Sequence, residues 1–485
     1  MKVFASFFKK KRLFFGAVGA DIAVQHDGLD AGMDGLPFPQ RGWAILTLAL
    51  GLAMAVLTGT LANLALPTIA REFQVSASDA IWVANAYQLS VTMTLLPLAS
   101  LGEKLGYRRV YLWGLVLFTV ASAACALSQT MGQLVAARVV QGFGAAGVMS
   151  VNTALIRFIY PGSQLGRGVG YNAMIGGTMS ALGPSIASGI LAVADWHMLF
   201  AVNLPLGVLA FLIGRKVLPD SPLGGEKFDA GSAALNAVFF GLLILGIDGL
   251  GHGQGGFSVG LELAGAVAVG VALVLRQLPQ RKPLLPVDLL MRPVFALSIA
   301  ASVCSFAAQG MAFTALPFFL IQDLGRSQTE TGLLMTPWSV AMAVTAVFAG
   351  RLSDRFSPAL MGAVGQAGLC AGLLGLAAAP GMGGGWLAPD WLLIVGPTIV
   401  CGVGFGLFNS PNNRTIMAAA PRARSGGASG MQATSRLLGQ TIGSALVAML
   451  FNLVPAGGTQ VVLMVAAGFS VLAGGVSLAR PRAKL

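Results

Sequence analysis

The chain has 485 residues, 55% of them hydrophobic and only 10% charged, against the ~25% charged of a soluble globular domain. That excludes a water-soluble fold and points to a polytopic membrane protein. The net charge of +12 would suit a nucleic-acid partner, but its distribution argues otherwise. Of the 30 Lys and Arg, 26 fall on one alternating side of the apolar segments, Arg71 and Arg326 on the other, and Arg138 and Arg436 inside segments. By the positive-inside rule the basic loops and both termini are expected in the cytoplasm.

Residues 1–42 read as a cytoplasmic tail. The stretch "KKKRLFFGAVGA" imitates a signal peptide, but Asp21 follows an apolar run of only about eight residues. Candidate spans follow at 43–69, 79–101, 110–128, 132–157, 166–193 and 199–217, making an N-terminal half over 43–217. A linker, 218–293, holds an extra pair at 228–249 and 257–276. The C-terminal half, 294–478, holds 294–322, 328–352, 359–379, 390–418, 426–452 and 458–478, before a short cytoplasmic tail at 479–485. Each of these fourteen segments approaches or exceeds the ~20 residues needed to cross a bilayer as a helix. None shows the alternation of a barrel strand, so an all-α polytopic architecture is expected.

The chain also repeats itself. "ALP" closes the first span of each half, at 65–67 and 315–317, and "LGEK" at 101–104 answers "LSDR" at 352–355. Gly142, Gly144, Ser150, Asn152 and Ile156 align with Gly402, Gly404, Ser410, Asn412 and Ile416. "GPSIAS" at 183–188 aligns with "GQTIGS" at 439–444. Matches in the same order predict two pseudo-symmetric six-helix halves around the inserted pair, an architecture suited to a transporter that rocks about a central site.

Few residues carry chemistry. The loop "ASLGEKLGYRR" at 99–109 sets an acid and cations around a turn glycine, which suits a charge network between helix ends. Arg138 lies well inside an apolar segment with Gln141 one turn on, at a cost of at least ~2.5 kcal/mol unless it meets polar groups. Outward snorkelling is the plainer explanation. The run "GFGAAG" satisfies GxGxxG but sits mid-helix with no strand before it, so it reads as a packing surface and not a nucleotide loop. Pro184 predicts a bend. No acid lies mid-helix in either half, so Arg138 is expected to bond Asn63, Asn85 or other polar groups at its depth, or an anionic cargo. The four cysteines and three histidines form no metal-ligand spacing, and no cofactor is expected.

Several stretches resemble the major facilitator superfamily. "ASLGEKLGYRR" resembles its signature loop, with Glu103 in place of the usual Asp, Ala99 of the first Gly and Tyr107 of an Arg; "GRLSDRFS" at 350–357 is a second copy. "RVVQGFGAAG" resembles the fourth-helix motif. "GYNAMIGGTMSALGPSIASG" and "DWHMLFAVNLPLG" are similar to the antiporter motif and its sequel, so with the inserted pair the likeness extends to the fourteen-helix drug:proton antiporter branch. The resemblance implies the major facilitator fold, residence in the inner (cytoplasmic) membrane, and export of small hydrophobic or amphiphilic compounds by proton antiport. Coupling and gating would fall to Arg138, Gln141, Glu103, Lys104, Arg108, Asp354, Arg355, Gly183 and Pro184. One departure stands out: in "LTGTLANLALP" at 57–67 Thr58 occupies the position of the branch's aspartate, and a threonine carries no proton at physiological pH.

The expected cavity draws on Thr58 and Asn63 in the first span, and on Trp82, Asn85, Tyr87 and Gln88 in the second. Asn152, Asn172, Gln309, Asn409, Asn412, Asn413 and Arg436 complete it. Interhelical hydrogen bonding explains such side chains equally well. Two buried arginines without a central acid disfavour cations. This leaves two transport readings open: a proton-coupled exporter of amphiphiles, or an exporter or exchanger of an anionic metabolite without standard proton coupling. A membrane enzyme lacks support, since neither HExxH nor GxSxG occurs, and without a P-loop the energy must come from a gradient. The expected partners are the cargo, protons and the lipid bilayer, and the expected state is a monomer. An aspartate at position 58 is expected to favour cations.

Overall fold

The structure is a computed structural model that describes residues 35–161, 164–221, 228–251, 256–278, 280, 287–352, 356–379, 392–420, 425–454 and 457–480. It is all-helical. The N-terminal half contains α1 (Gln40–Glu72), α2 (Ala77–Leu105), α3 (Tyr107–Ala126), α4 (Met131–Ile159), α5 (Leu165–Leu191) and α6 (Met198–Val217). The inserted pair is α7 (Ala230–Gly251) and α8 (Gly256–Gln277). The C-terminal half contains α9 (Pro293–Phe318), α10 (Gln328–Leu352), α11 (Pro358–Ala378), α12 (Leu392–Ala419), α13 (Ser425–Leu453) and α14 (Gly458–Leu478).

Local chemistry accounts for the boundaries. Ser76 caps α2 by accepting from the Asp79 amide, and Thr130 caps α4 by accepting from that of Gln133. A single residue, Gly106, joins α2 to α3 at φ +95°, a conformation that a side chain disfavours. This is the turn glycine of the "LGEKLGYRR" loop.

Eleven of these helices are long and apolar enough to cross a membrane, or twelve if the bent pair Met174–Ser180 and Leu182–Leu191 is one span, among the described residues. The expectation of fourteen spans is not met on that measure. α2 falls short because it turns polar side chains inward: Asn85, Gln88 and Thr92 are buried on it. Within a bundle such groups find partners that lipid cannot offer.

The repeats become matching contacts. α3 packs on α4 and α2 on α4, as α11 packs on α12 and α10 on α12. Gly144 and Gly404 occupy the same place in their halves. A Cβ on Gly144 would lie 2.4 Å from the Phe118 nitrogen, and one on Gly404 would lie 2.4 Å from the Leu369 nitrogen. Gly142 and Gly402 do the same against α2 and α10, at 2.6 Å from the Tyr87 oxygen and 2.2 Å from the Trp338 oxygen. The "GFGAAG" run is therefore a close-packing surface, as its mid-helix position predicts.

The halves meet through α5 against α10 and α2 against α13, two equivalent seams. The packing along the seams differs between the two faces of the bundle. On the face away from the basic loops, one apolar core spans both halves, joining Leu61–Ile69, Trp196 and Phe200 to Phe306–Leu320, Trp338 and Val447. Toward the basic loops the core splits into one cluster confined almost entirely to the N-terminal half and another confined to the C-terminal half. The hydrogen bonds between halves follow the same division: Ser78 Oγ donates to Asn452 Oδ1 at 2.6 Å, Ser188 Oγ to the Thr329 carbonyl at 3.0 Å, and Gln328 to Thr68. Among the described residues, the packing shared by the two halves is thus concentrated on the face away from the basic loops. Ser78→Cys with Asn452→Cys, in a chain stripped of its four native cysteines, is expected to cross-link on mild oxidation and arrest transport until reduced. An absence of cross-linked product on gels would mean that this face does not close.

The inserted α7 and α8 pack chiefly on each other, with α7 also against α2 and α13. At their base Arg276 bonds Asp229 at 2.9 Å; that guanidinium, with help from Ser232 and Gln280, holds the Asp229 carboxyl well below the usual carboxylate range.

Candidate functional site: a buried arginine behind a central cavity

Arg138 is fully buried on α4. Its Nε donates to the Val83 carbonyl at 2.7 Å, Nη1 to Gln141 Oε1 at 2.6 Å, and Nη2 more weakly to the Thr58 carbonyl at 3.4 Å. The guanidinium lies 4.3 Å from the Tyr87 ring centroid and 5.4 Å from that of Phe200, where the ring faces attract a cation. Gln141 is fixed in turn, its Nε2 donating to Ser122 Oγ at 2.7 Å. Among the described residues no carboxylate pairs with Arg138. Carbonyls, an amide and two rings solvate it instead, so it does not snorkel, and its partners are not Asn63 or Asn85. Gln141 is the one partner foreseen from helical spacing.

The clamp sits behind a cavity wall and does not form it. Tyr87 presents one face to Arg138 and donates its hydroxyl to the Ala55 carbonyl at 2.6 Å. Beyond Tyr87 a cleft lies between α1, α2, α4, α5 and α13. Its polar lining includes Gln88, Thr60, Ser180, Arg436 and Gln440; Val56, Val91, Met149 and Leu437 supply apolar wall. A second space of ≈210 Å³ is lined by Thr60, Asn63, Pro184, Phe313 and Met335. Most of these residues lie in the middle turns of their helices.

Of the expected cavity residues, then, Tyr87, Gln88, Asn63 and Arg436 are brought together around these two spaces. Thr58 is buried away from them, its Oγ1 accepting from Asn203 Nδ2 at 3.1 Å. Asn85 and Asn152 are buried with neither side-chain polar atom hydrogen-bonded. Gln309 rests its amide nitrogen 3.8 Å from the Met342 sulfur. Asn412 ties α12 to α9 through Ser302 Oγ at 2.7 Å and also accepts from Arg480. Trp82, Asn172, Asn409 and Asn413 are half-buried and line neither space. Polarity alone nominates these positions; Thr58 and Asn412 bond neighbouring helices instead.

Thr58→Asp is accordingly expected to leave cargo charge preference unchanged. Its carboxylate would pair with the adjacent Arg138 and lie outside the cavity. A shift toward cations in competition assays on that variant would put position 58 back in the wall.

The gating residues divide likewise. Gly183 admits Thr60, since a Cβ there would lie 2.2 Å from Thr60 Oγ1. The helix bends by 48° between Met174–Ser180 and Leu182–Leu191, where Pro184 leaves the Ser180 carbonyl without its helical donor; that is the predicted bend. Arg108 reaches Asp220 at 3.0 Å and the Arg215 carbonyl at 2.6 Å, and the Tyr107 amide donates to Ser221 Oγ at 2.9 Å. The signature loop thus docks on the end of α6, through partners that its own spacing does not reveal. Glu103 and Lys104 are exposed at the end of α2. Asp354 and Arg355 lie outside the described residues.

Spacing could have found Gln440, one turn from Arg436, and Ser180, one turn before Pro184. Met149 and Asn203 carry no such signal.

Two pseudo-symmetric helical halves around a mid-bilayer cavity define a multi-pass membrane transporter. The chain belongs to the Major Facilitator Superfamily, whose profile matches residues 48–444 and 298–484. It is 50% identical over 93% of its length, and 98% of the relative's, to the uncharacterized transporter YebQ of Escherichia coli K12. It is 29% identical to the riboflavin transporter RibZ of Clostridioides difficile, covering 85% of this chain and 88% of that one. Multidrug resistance protein Stp of Mycobacterium tuberculosis is 30% identical over 83% of this chain and 74% of its own. Among solved structures a peptide transporter of the POT family superposes with a TM-score of 0.66 at 17% identity, covering 92% of this chain and 96% of that one, which speaks to the fold alone. The bacterial relatives imply the inner membrane.

Proposed function

We propose that the protein is a secondary active exporter of small hydrophobic or amphiphilic compounds, working by alternating access, with both termini cytoplasmic. The observation that carries this reading is the asymmetry of the core: a mid-bilayer cavity sealed by shared packing on one face and parted toward the basic face. If the basic face is cytoplasmic, the structure describes the state that loads cargo from inside. Relatives named for export or for multidrug resistance support the direction. On this reading α2, whose polar inward face lowers its hydropathy, and α10 also cross the bilayer, and the helices number the fourteen of the drug:proton antiporter branch. One copy suffices, since each half supplies the other's seam.

Proton antiport is the coupling that the antiporter-like α5 suggests. A second reading, export or exchange of an anionic metabolite without standard proton coupling, is favoured by Thr58, which leaves the clamp without a titratable acid. Everted vesicles separate the two. Cargo-dependent collapse of a pH gradient supports antiport. Movement of labelled cargo with no proton response supports the second reading, and no movement of any amphiphile tested overturns export itself.

A further inference from the structure

The two arginines inside the apolar helices are held in opposite ways. Arg138 spends its donors on three acceptors and lies between two rings. Arg436 makes no hydrogen bond or ion pair among the described residues, and it lines the central cleft half-buried. It is the one charged residue in that lining. In the same lining, Gln88 is buried with its Oε1 unpartnered. The cavity therefore offers a forked cationic donor and a lone acceptor, set in a wall of Val56, Val91, Met149 and Leu437.

We propose that Arg436 reads a single anionic group on the cargo, so that the site takes monoanionic amphiphiles: a carboxylate, sulfonate or phosphate diester at one end of an apolar body. The inference rests on the export reading and names its substrate class. A guanidinium in a low-dielectric cavity lacks the partner that its charge demands, and an incoming anion supplies it through paired N–H donors. Cations meet the same field with the opposite sign and find no carboxylate in the lining. A small hydrated inorganic anion would leave the apolar wall uncovered. Gln88 Oε1 adds orientation, accepting from an O–H or N–H on the cargo.

Three isosteric probes test this on the purified full-length protein in detergent: naphthalene-2-sulfonate, naphthalene-2-sulfonamide and 2-naphthyl-trimethylammonium. Calorimetric titration is expected to rank the sulfonate at least roughly tenfold tighter than the other two. Arg436→Gln is expected to remove that advantage while leaving sulfonamide affinity unchanged, and Arg436→Lys to retain the preference in part. The unchanged sulfonamide affinity shows that the variant cavity is intact. Cation binding as tight as the sulfonate's, a sulfonate affinity indifferent to Arg436→Gln, or binding of none of the three would overturn the proposal. Binding does not require transport, so sulfonate selectivity without movement in vesicles would strike the export reading and leave the site standing.

Discussion

Arg138→Ala is expected to abolish transport while leaving the protein folded and inserted. The substitution removes three hydrogen bonds from a charged donor, each worth about 1.5–3 kcal/mol. It also removes the cost of burying that charge, and the two effects offset much of each other. Function has no such compensation. Arg138 is the one side chain joining α4 to the carbonyls of both α1 and α2, and it backs the Tyr87 ring whose hydroxyl pins Ala55 on the cavity wall. Without it α1, α2 and α4 lose their common tie at the depth where cargo binds. Arg138→Lys keeps the charge, but one ammonium cannot span Val83, Gln141 and Thr58 as a fork does, so partial activity at best is expected. The measurement is cargo efflux normalised to membrane-inserted protein, with monodisperse elution in detergent as the folding control. Wild-type efflux from the alanine variant would show that the clamp is structural only.

The second expected result concerns the closed face. Gly332 on α10 faces Ser188 and Pro184 on α5, and a Cβ there would lie 2.1 Å from the Ser188 Cβ and 3.0 Å from the Pro184 oxygen. Because that oxygen belongs to backbone, the strain cannot be relieved by rotating a side chain. Overpacking of this kind costs about 1–3 kcal/mol, and here only the closed state bears it. Gly332→Ala should therefore open this face, raising the reaction of a Ser78→Cys reporter with an impermeant maleimide by roughly fivefold or more, and slow transport with it. Gly177→Ala, with nothing within 4 Å of the added carbon, is the control expected to do neither. Equal labelling in the two variants would mean that the α5–α10 seam does not close the bundle.

Much of the architecture was legible in the residues. Apolar runs marked the helices, and alternating basic loops suggested their orientation. The paired glycines 142/144 and 402/404 foretold two equal halves, because only glycine lets backbones approach so closely and the same requirement arises twice. Hydropathy served least well where function concentrates. α2 has a low average hydropathy because it buries a polar face against other helices, and a one-dimensional average cannot tell an inward polar face from an outward one. The site was legible only in part for the same reason. Polarity nominated thirteen cavity residues, but it could not separate Thr58 and Asn412, which bond neighbouring helices, from Gln88 and Arg436, which face open space.

Composition and order of residues alone thus determined that the chain is helical, membrane-bound and twofold repeated, since burial of backbone polar groups in lipid leaves few other solutions. Only the tertiary structure decided which arginine is spent and which is available. Arg138 and Arg436 are equally unexplained cations in the sequence. Their difference lies in distances to carbonyls and rings on other helices, set by how α1, α2 and α4 pack around one of them and leave the other at the edge of a cavity.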